Sequence, residues 1–433
     1  MKKIALISHG CAKNLVDSEL ILGILTKNGY KITLNENESD IVIINTCSFI
    51  ADAERESVHS ILEMIEAKKK VIVTGCLSQK HAIELKNAIP EICAVVGTTD
   101  FTKIIDVINK VENGSYVQEV NPNPEYIYPE EIERQQITMG ASSYIKIADG
   151  CNYRCGYCVI PYLRGNYKSR KLENIIDEAK QLVKKGVTEI ILVAQDTTGY
   201  GIDIYNKPML SELLKELNKI EGLGWIRVMY AYPTQMKDEL LKTINDCEKI
   251  VKYVDIPLQH SHPEMLKLMN RPSFDYRPMI ENIRNQIKNV SIRTAFVVGY
   301  PGETEEHFEH LCQFVKDMKF DRMGVFCYSR EKGTPSYSQK PLVPKRVAKQ
   351  RWKKLMEIQQ EISLNRNQNF IGKTVPCIIE CYSDEGEVIA RTQYDAPEID
   401  GIVNIKTDKH LVPGDIEFVK IISATEYDLI GEI

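Results

Sequence analysis

The sequence lacks three features that would set it apart from globular proteins: a membrane-length apolar run, internal repeats and low-complexity segments. Its first residues include two lysines but only a short apolar stretch, which ends at His9 and Gly10. That stretch predicts a first strand rather than a signal peptide. We therefore expect a cytoplasmic protein without membrane attachment. A chain of 433 residues is long enough for several domains with substantial cores.

A disulfide framework is also not indicated, although cysteine itself is abundant. The chain has 12 cysteines and no export signal. In a reducing compartment, such cysteines are metal ligands, catalytic groups or small buried residues rather than disulfide partners. The formal net charge of −5 does not by itself indicate a class of partner.

Strand and helix patterns alternate along the first part of the chain. The β-branched runs of strand length are KKIALIS, DIVIIN, KKVIVT and ICAVVG, and helical stretches lie between them. This alternation predicts an amino-terminal open parallel α/β sheet domain over residues 1–120. Residues 121–140 are rich in proline and glutamate, have no core pattern and predict a linker.

A second alternating series begins at Tyr144. Its six strand candidates are YIKIAD, TEIILVAQD, WIRVMYAYP, YVDIPLQH, SIRTAFVVGYPG and DRMGVFCYS. They predict a central partial (β/α) barrel over residues 141–369, with functional residues at the carboxyl ends of its strands. Residues 370–433 consist of short strands and turn signals, which predict a small carboxyl-terminal antiparallel β-barrel. The predicted fold class is α/β.

Three cysteines in one short segment are the strongest indication of chemistry. Cys151, Cys155 and Cys158 stand in DGCNYRCGYCVIPYLRG with the spacing Cys-x3-Cys-x2-Cys. Three thiolates at this spacing can hold three irons of a [4Fe-4S] cluster and leave the fourth iron open to another ligand. A structural zinc site usually needs a fourth Cys or His at a short spacing, and none follows. Zinc, or cysteines that are simply packed together, remain the alternatives.

Three further cysteines each follow a predicted strand. Cys11, Cys47 and Cys76 end the runs IALISHGC, IVIINTC and VIVTGC. Because the carboxyl ends of parallel strands meet at one edge of a sheet, we expect these thiols to converge and to hold a second cluster. The alternative is that each is a small buried residue.

The remaining cysteines are interpreted as packing residues. Cys93, Cys247, Cys312 and Cys327 lie within apolar runs. Cys377 and Cys381 are expected on the same face of one strand, and no other Cys or His is near them in sequence.

With both sets of cysteines placed, the chain resembles the radical S-adenosylmethionine (SAM) methylthiotransferase family over nearly its whole length. Tyr157 completes the family pattern Cys-x3-Cys-x-aromatic-Cys, and the last segment looks like the family's TRAM domain. VAQDTTGYG resembles the signature of the branch that modifies an aspartate of the small-subunit ribosomal protein S-twelve. The branch that modifies transfer RNA usually has Gln-Asn where this chain has Gln195-Asp196.

The resemblance implies a reaction and its cofactors. The implied cofactors are two [4Fe-4S] clusters and SAM. One electron from a donor protein would cleave SAM and release a 5′-deoxyadenosyl radical. The radical would remove hydrogen from the β-carbon of the aspartate, a carbon too weakly acidic for general-base chemistry. The second cluster would supply or hold the sulfur, and a second SAM would methylate it. The resemblance identifies neither the sulfur donor nor a catalytic side chain.

Residues at the ends of the barrel strands are candidates for contact with SAM, the alternative being that they only form loops and turns. These candidates are Tyr157, Gln195, Asp196, Gln259, Gly299 and Glu303. Arg164, Arg170 and Lys171 follow the cysteine loop and could serve the substrate, but basic residues of this kind are usually exposed and without so specific a role.

The charge of the last segment bears on the substrate. Residues 371–433 contain thirteen acidic and five basic residues. Such a domain repels phosphate backbones and could instead attract a basic protein. Together with the resemblance of VAQDTTGYG, this charge favours a protein substrate, which the resemblance implies is ribosomal protein S-twelve, alone or in the small ribosomal subunit. The acids could equally form an ordinary solvated face. The alternative functions are a tRNA adenosine methylthiotransferase, a non-catalytic iron–sulfur protein that binds ribosomes, and a zinc-stabilised binding module.

Overall fold

The computed structural model describes residues 2–137 and 140–433, which form two compact units. The first contains residues 2–137 together with Ala148–Arg154 and Cys158–Lys168. The second contains Gly140–Ile147, Cys155–Tyr157 and Ser169–Ile433. Among the described residues, no helix is both long and apolar enough to cross a membrane.

The amino-terminal part is a six-stranded sheet in the order β2-β1-β3-β4-β5-β6, with every pair parallel. Its strands are β1 (Lys3–Ser8), β2 (Lys31–Ile32), β3 (Ile41–Thr46), β4 (Lys70–Gly75), β5 (Ala94–Val96) and β6 (Val117–Glu119). Its helices are α1 (Ala12–Lys27), α2 (Ala51–Glu66), α3 (Cys76–Ala88) and α4 (Ile104–Glu112). Every residue of β3 is buried, as expected of a parallel strand that is covered on both faces. The predicted open parallel α/β domain is confirmed, and the short strands β2 and β6 add to the four that were predicted.

The central part has six parallel strands in two sheets, ordered β11-β10-β7 and β12-β13-β14. A parallel bridge links Ile226 on the edge strand β11 to Ile250, which precedes β12 in the chain. The six strands are β7 (Ser142–Lys146), β10 (Glu189–Val193), β11 (Trp225–Val228), β12 (Tyr253–Asp255), β13 (Ser291–Val298) and β14 (Arg322–Cys327). Between β7 and β10 in the chain, β8 (Ala148–Asp149) and β9 (Lys168–Ser169) form a separate two-stranded sheet. The helices are α5 (Ile160–Arg164), α6 (Leu172–Lys184), α7 (Ile202–Tyr205), α8 (Leu210–Asn218), α9 (Asp238–Asp246), α10 (Pro263–Leu268), α11 (Arg277–Gln286) and α12 (Glu305–Met318). All six predicted barrel strands are present, and the partial (β/α) barrel is confirmed.

The carboxyl-terminal part begins with the long helix α13 (Lys345–Gln368) and continues as a closed five-stranded barrel in the order β15-β16-β17-β19-β18. Its strands are β15 (Thr374–Tyr382), β16 (Val388–Thr392), β17 (Val403–Lys406), β18 (Ile416–Ala424) and β19 (Leu429–Glu432). All pairings are antiparallel except β17 with β19. The predicted small barrel is thus confirmed.

Two expectations about the packing cysteines are wrong. A bulge between Ile379 and Cys381 shifts the register of β15, so that Cys377 is buried in the barrel core while Cys381 is exposed. The two cysteines therefore do not share a face. Cys327, at the end of β14, is exposed rather than packed.

Candidate functional site

The cysteines of the first unit lie at one edge of its sheet. Cys11 caps α1 just after β1, Cys47 follows β3 directly, and Cys76 begins α3 at the end of β4. These three strands are neighbours in the parallel sheet, so their carboxyl ends lie side by side. We call Cys11, Cys47 and Cys76 the edge trio.

Two glycines give the edge trio its space. Gly10 and Gly75 have φ of +95° and +96°, values that L side chains rarely adopt. A Cβ on Gly10 would lie 2.8 Å from the Cβ and 3.0 Å from the Sγ of Cys47. A Cβ on Gly75 would overlap Asn45 Oδ1 and lie 2.5 Å from the carbonyl oxygen of Thr46. Any other residue at these positions would therefore push against the thiols or the strand end.

The thiols of the edge trio influence one another electrostatically. Burial raises the pKa of Cys76 to about 11, and Cys11 and Cys47 act in the same direction. Burial also raises the pKa of Cys47. Desolvation raises the pKa of Cys11 as well, but Lys13, Arg164 and nearby backbone N–H groups lower it below its usual value. Three thiols at one sheet edge that interact electrostatically, one of them with a lowered pKa, fit a soft metal cluster that binds thiolates.

The cysteine loop is divided between the two units. Cys151 and Cys158 belong to the first unit, and Cys155 to the second. In the first unit, the Cys151 N–H donates to the carbonyl oxygen of Gly165 at 3.0 Å. Gly165 has φ +73°, and a Cβ there would overlap the carbonyl oxygen of Pro124. The backbone around Cys151 is therefore fixed by contacts that need glycine.

Backbone contacts also fix the part of the loop in the second unit. The Gly156 N–H donates to the Met269 carbonyl at 2.8 Å, and the Gly156 carbonyl accepts from the Ser336 N–H at 2.8 Å. A Cβ on Gly156 would overlap the hydroxyl of Tyr300. The Arg271 guanidinium lies 4.0 Å from Cys155 Sγ. Cys155 is thus buried next to a cation, which suits a thiolate ligand.

Four of the candidate SAM contacts lie in the loops at the barrel edge. Tyr157 packs against Met265, Met269, Val297 and Tyr300. Gln195 follows β10, and Gly299 begins the turn after β13 with φ +77°. Gln259 follows β12 in the left-handed region at φ +71°, where its N–H and C=O pair with the backbone of β13. A non-glycine residue held there by flanking hydrogen bonds is typical of functional loops.

The other two candidates, Asp196 and Glu303, shape the loops themselves. Asp196 Oδ1 accepts from the N–H of Thr198 at 2.9 Å and of Gly199 at 3.1 Å, which closes the turn after β10. Glu303 accepts from the Gly299 N–H at 2.6 Å and pairs with Arg351 at 2.7 Å and His260 at 3.3 Å. Both carboxylates are buried and hold strand-end turns in place.

A group of histidines beside α10 and α12 has the composition of a metal site but not its protonation. Ligand atoms of His262, Glu264 and His307 lie within 4.8 Å of one another. Both imidazoles accept a backbone N–H at Nδ1, from Glu264 at 3.3 Å and from Thr304 at 3.2 Å. A neutral imidazole that accepts at Nδ1 carries its proton on Nε2 and has no lone pair there for a metal. Hydrogen bonding, including His307 Nε2 to Glu264 at 3.2 Å, accounts for the group.

Two basic residues after the loop are buried, contrary to expectation. Arg164 is 3% exposed and Arg170 is 5% exposed, and only Lys171 is at the surface. Arg170 pairs with Glu178 at 2.6 Å, whereas Arg164 lies against the edge trio, with its Nη2 3.9 Å from Cys76 Sγ. The only sequence signal for Arg164 is its position six residues after Cys158.

Comparison with protein families divides the chain into three matched segments. The uncharacterized protein family UPF0004 matches residues 3–97, the radical SAM superfamily matches residues 145–315, and the TRAM domain matches residues 371–433. The first match contains the edge trio and the second contains the cysteine loop.

Several curated proteins are similar over the full length. The ribosomal protein uS12 methylthiotransferase RimO of a Thermoanaerobacter species is 51% identical over 439 residues and covers 100% of both chains. The protein of the same name from Caldanaerobacter subterraneus is 49% identical, again over 100% of both chains. That from Rippkaea orientalis is 46% identical over 98% of this chain and 95% of its own.

Solved structures show the same fold at low identity. The radical SAM methyltransferase TsrM from Kitasatospora setae has a TM-score of 0.57 and 16% identity, and covers 77% of each chain. The cobalamin-dependent SAM radical enzyme OxsB has a TM-score of 0.51 and 12% identity, and covers 84% of this chain and 56% of its own. At these identities the likeness concerns the fold alone.

Proposed function

Because the chain belongs to the RimO family of ribosomal protein uS12 methylthiotransferases, we propose that it attaches a methylthio group to the β-carbon of an aspartate in uS12. The enzyme is a radical SAM methylthiotransferase, and SAM and a [4Fe-4S] cluster are the cofactors of its superfamily. The observation that carries the proposal is identity of 46–51% to proteins of this name over nearly the whole chain. The edge trio supports it, since sulfur insertion needs a second thiolate site.

We infer that Cys151, Cys155 and Cys158 hold the cluster that binds SAM, and that the edge trio holds a second [4Fe-4S] cluster. When bound, these groups supply a radical able to remove hydrogen from an unactivated carbon and a site for the sulfur to be transferred. The chain contributes the thiolates and fixes their backbone. Burial of Cys47 and Cys76 also limits access of water to the second site.

The barrel edge is the proposed binding place for SAM. We infer that Tyr157, Gln195, Gln259 and Gly299 line it, because they lie beside Cys155 in sequence or follow strands whose carboxyl ends face one side. Asp196 and Glu303 act indirectly, since their carboxylates already accept hydrogen bonds within the turns. Their contribution is to hold the lining residues in register.

The charge of the carboxyl-terminal barrel supports a basic protein as substrate. Of its thirteen acids seven are exposed, against four of its five bases. The fifth base, Arg391, is buried against Glu189 and Glu380 and offers no charge to a nucleic acid. Electrostatic attraction to a basic ribosomal protein follows, whereas a phosphate backbone would be repelled. We infer that a separate protein supplies the electron.

Mass spectrometry of uS12 tests the proposal. The gene is expressed in a bacterial host that lacks its own uS12 methylthiotransferase, and the uS12 peptides are analysed for a methylthio group on one aspartate. The matched controls are chains in which the edge trio, or the three loop cysteines, are replaced by alanine. We expect the modification only with the unaltered chain. Methylthiolated adenosine in tRNA with unmodified uS12 would contradict the proposal and support the tRNA enzyme.

A further inference from the structure

Arg164 ends α5 and is buried in the first unit with four polar partners. Its Nη1 donates to Asp17 Oδ2 and to Asp149 Oδ2, both at 2.8 Å. Its Nη2 donates to Asn14 Oδ1 at 2.5 Å and lies 3.9 Å from the Sγ of Cys76. One guanidinium therefore touches helix α1, strand β8 and one thiol of the edge trio.

Asn14 extends this contact to the rest of the trio. Its Nδ2 donates to the carbonyl of His9 and to that of Thr46, both at 3.0 Å. These carbonyls lie next to Gly10–Cys11 and to Cys47 in sequence. The orientation of the Asn14 amide is fixed by Arg164, because its Oδ1 accepts from that side chain. Arg164 thus bears directly on Cys76 and, through Asn14, on the backbone that carries the other two thiols.

Asp149 extends the same contact toward the cysteine loop. Its Oδ2 accepts from Arg164, and its Oδ1 accepts from the Gly150 N–H at 2.8 Å, one residue before Cys151. The Cys151 N–H in turn donates to Gly165, the residue after Arg164. Cys151 is therefore linked to the Arg164 guanidinium through Gly150 and Asp149, and to the backbone beside Arg164 through Gly165.

Arg164 contributes the fixed geometry of its guanidinium group rather than an unbalanced positive charge. Asp17 and Asp149 are 5% and 1% exposed in their side chains, so the guanidinium is already balanced by two buried carboxylates. A lysine would keep the charge but has no planar fork that reaches several fixed acceptors. Loss of Arg164 would remove the guanidinium that the two buried carboxylates share.

We propose that Arg164 is a positioning residue that fixes the edge trio relative to Cys151 and donates an N–H to the Cys76 thiolate of the second cluster. This inference rests on the proposed function, because it requires the edge trio to hold that cluster. The reduction potential of an iron–sulfur cluster depends on hydrogen bonds to its sulfurs and on nearby charge. Removing Arg164 should therefore make the potential more negative, and removing one of its carboxylate partners should make it less negative.

The test uses the full chain with the three loop cysteines replaced by alanine, so that only the second cluster remains. After anaerobic reconstitution, iron is counted and the reduction potential is measured by a redox titration followed by electron paramagnetic resonance. We expect Arg164→Gln and Arg164→Lys to shift the potential to more negative values, and Asp17→Asn to shift it the opposite way. The control is Arg170→Gln, which removes another buried arginine and should leave the potential unchanged.

The outcomes distinguish failure of the proposed second cluster from failure of the inference about Arg164. If the parent chain binds no iron at the edge trio, the second cluster of the proposed function fails. If the parent holds about four irons and the Arg164 and Asp17 variants keep its potential, only the inference about Arg164 is overturned. If Arg164→Gln cannot hold iron, Arg164→Lys and Asp17→Asn still test the role of Arg164, because they are expected to shift the reduction potential in opposite directions.

Discussion

At the scale of the residue, the position of Arg164 illustrates what spacing rules miss. Its partners Asp17 and Asn14 are 147 and 150 residues earlier in the chain. The cysteines could be predicted because each stands in a local pattern, a strand end or a short loop. An arginine that joins two such patterns has no local pattern, and composition alone suggests that it is exposed.

Gly156 provides a prediction at the same scale. In Gly156→Ala the new methyl group would overlap the buried Tyr300 hydroxyl, so either the Tyr300 side chain or the backbone next to Cys155 must shift. We expect formation of 5′-deoxyadenosine from SAM to fall roughly tenfold to a hundredfold, as small displacements at a reacting centre do. Anaerobic incubation with SAM and a reductant, followed by chromatography, measures this.

Tyr300→Phe is the matched partner of that variant. It removes the hydroxyl that donates to the Leu268 carbonyl at 3.2 Å, a loss of about 1 kcal/mol. Combined with Gly156→Ala, it makes room for the methyl group and should restore much of the activity. Full activity of Gly156→Ala alone would show that the contact does not fix the loop.

At the scale of the element, the apolar character of the strands accounts for most of what could be predicted. The long apolar runs of β1, β3 and β4 indicated a buried parallel sheet, and from it the convergence of their carboxyl ends follows. The short strands β2 and β6 escaped prediction because two or three residues carry no periodicity. The bulge near Cys381 escaped it because the alternation rule assumes a regular strand.

Gly75 gives the prediction for a strand end. In Gly75→Ala the Cβ would overlap Asn45 Oδ1, and the φ of +96° adds strain. We expect Cys76 to be displaced and the iron bound by the edge trio to fall well below that of the parent, measured with the loop cysteines replaced. The control is Gly114→Ala, whose φ is +81° with no atom within 4 Å of the new Cβ.

The Gly114 variant separates backbone strain from collision. Positive φ alone costs about 1–2 kcal/mol, so Gly114→Ala should lower stability without loss of iron. Equal loss of iron in both variants would mean that the crowding at Gly75 does not position Cys76.

At the scale of the whole molecule, a buried ion group couples the two parts of the second unit. Glu189 on β10 pairs with Arg227 at 2.8 Å and with Arg391 on β16 of the carboxyl-terminal barrel. Burial opposes ionisation of Glu189, but Arg391 and Arg227 outweigh it and lower its pKa to about 2. The sequence predicted both barrels, but it could not predict this link, because the residues belong to separate patterns.

Glu189→Gln should therefore destabilise the second unit. The variant leaves the buried Arg227 without its carboxylate and Arg391 with only the partly exposed Glu380 as its partner. We expect the free energy of unfolding at pH 7 to fall by about 3–5 kcal/mol. Both tryptophans, Trp225 and Trp352, lie in the second unit, so their fluorescence during urea unfolding of the apoprotein reports on it. Glu212→Gln, which removes an exposed partner of Lys215, should change the value by less than about 0.5 kcal/mol.

The pH dependence of the stability that Glu189 contributes follows from the direction in which its pKa is shifted. Because the pKa of Glu189 is lower in the folded chain than the ordinary value of 4.5, unfolding takes up a proton in acid. Its contribution is complete above about pH 5 and is lost as the pH falls toward 2. The difference between the parent and Glu189→Gln should shrink over that range, and a constant difference would contradict this explanation.

The measurement that tests the central claim most directly is the iron and sulfide content of two variants, one without the edge trio and one without the loop cysteines. Both are purified and reconstituted without oxygen, beside the unaltered chain. Two separate cluster sites predict about eight irons for the unaltered chain and about four for each variant, with matching sulfide. Zinc in place of iron, or about four irons in the unaltered chain and none in the variant that keeps only the edge trio, would contradict it.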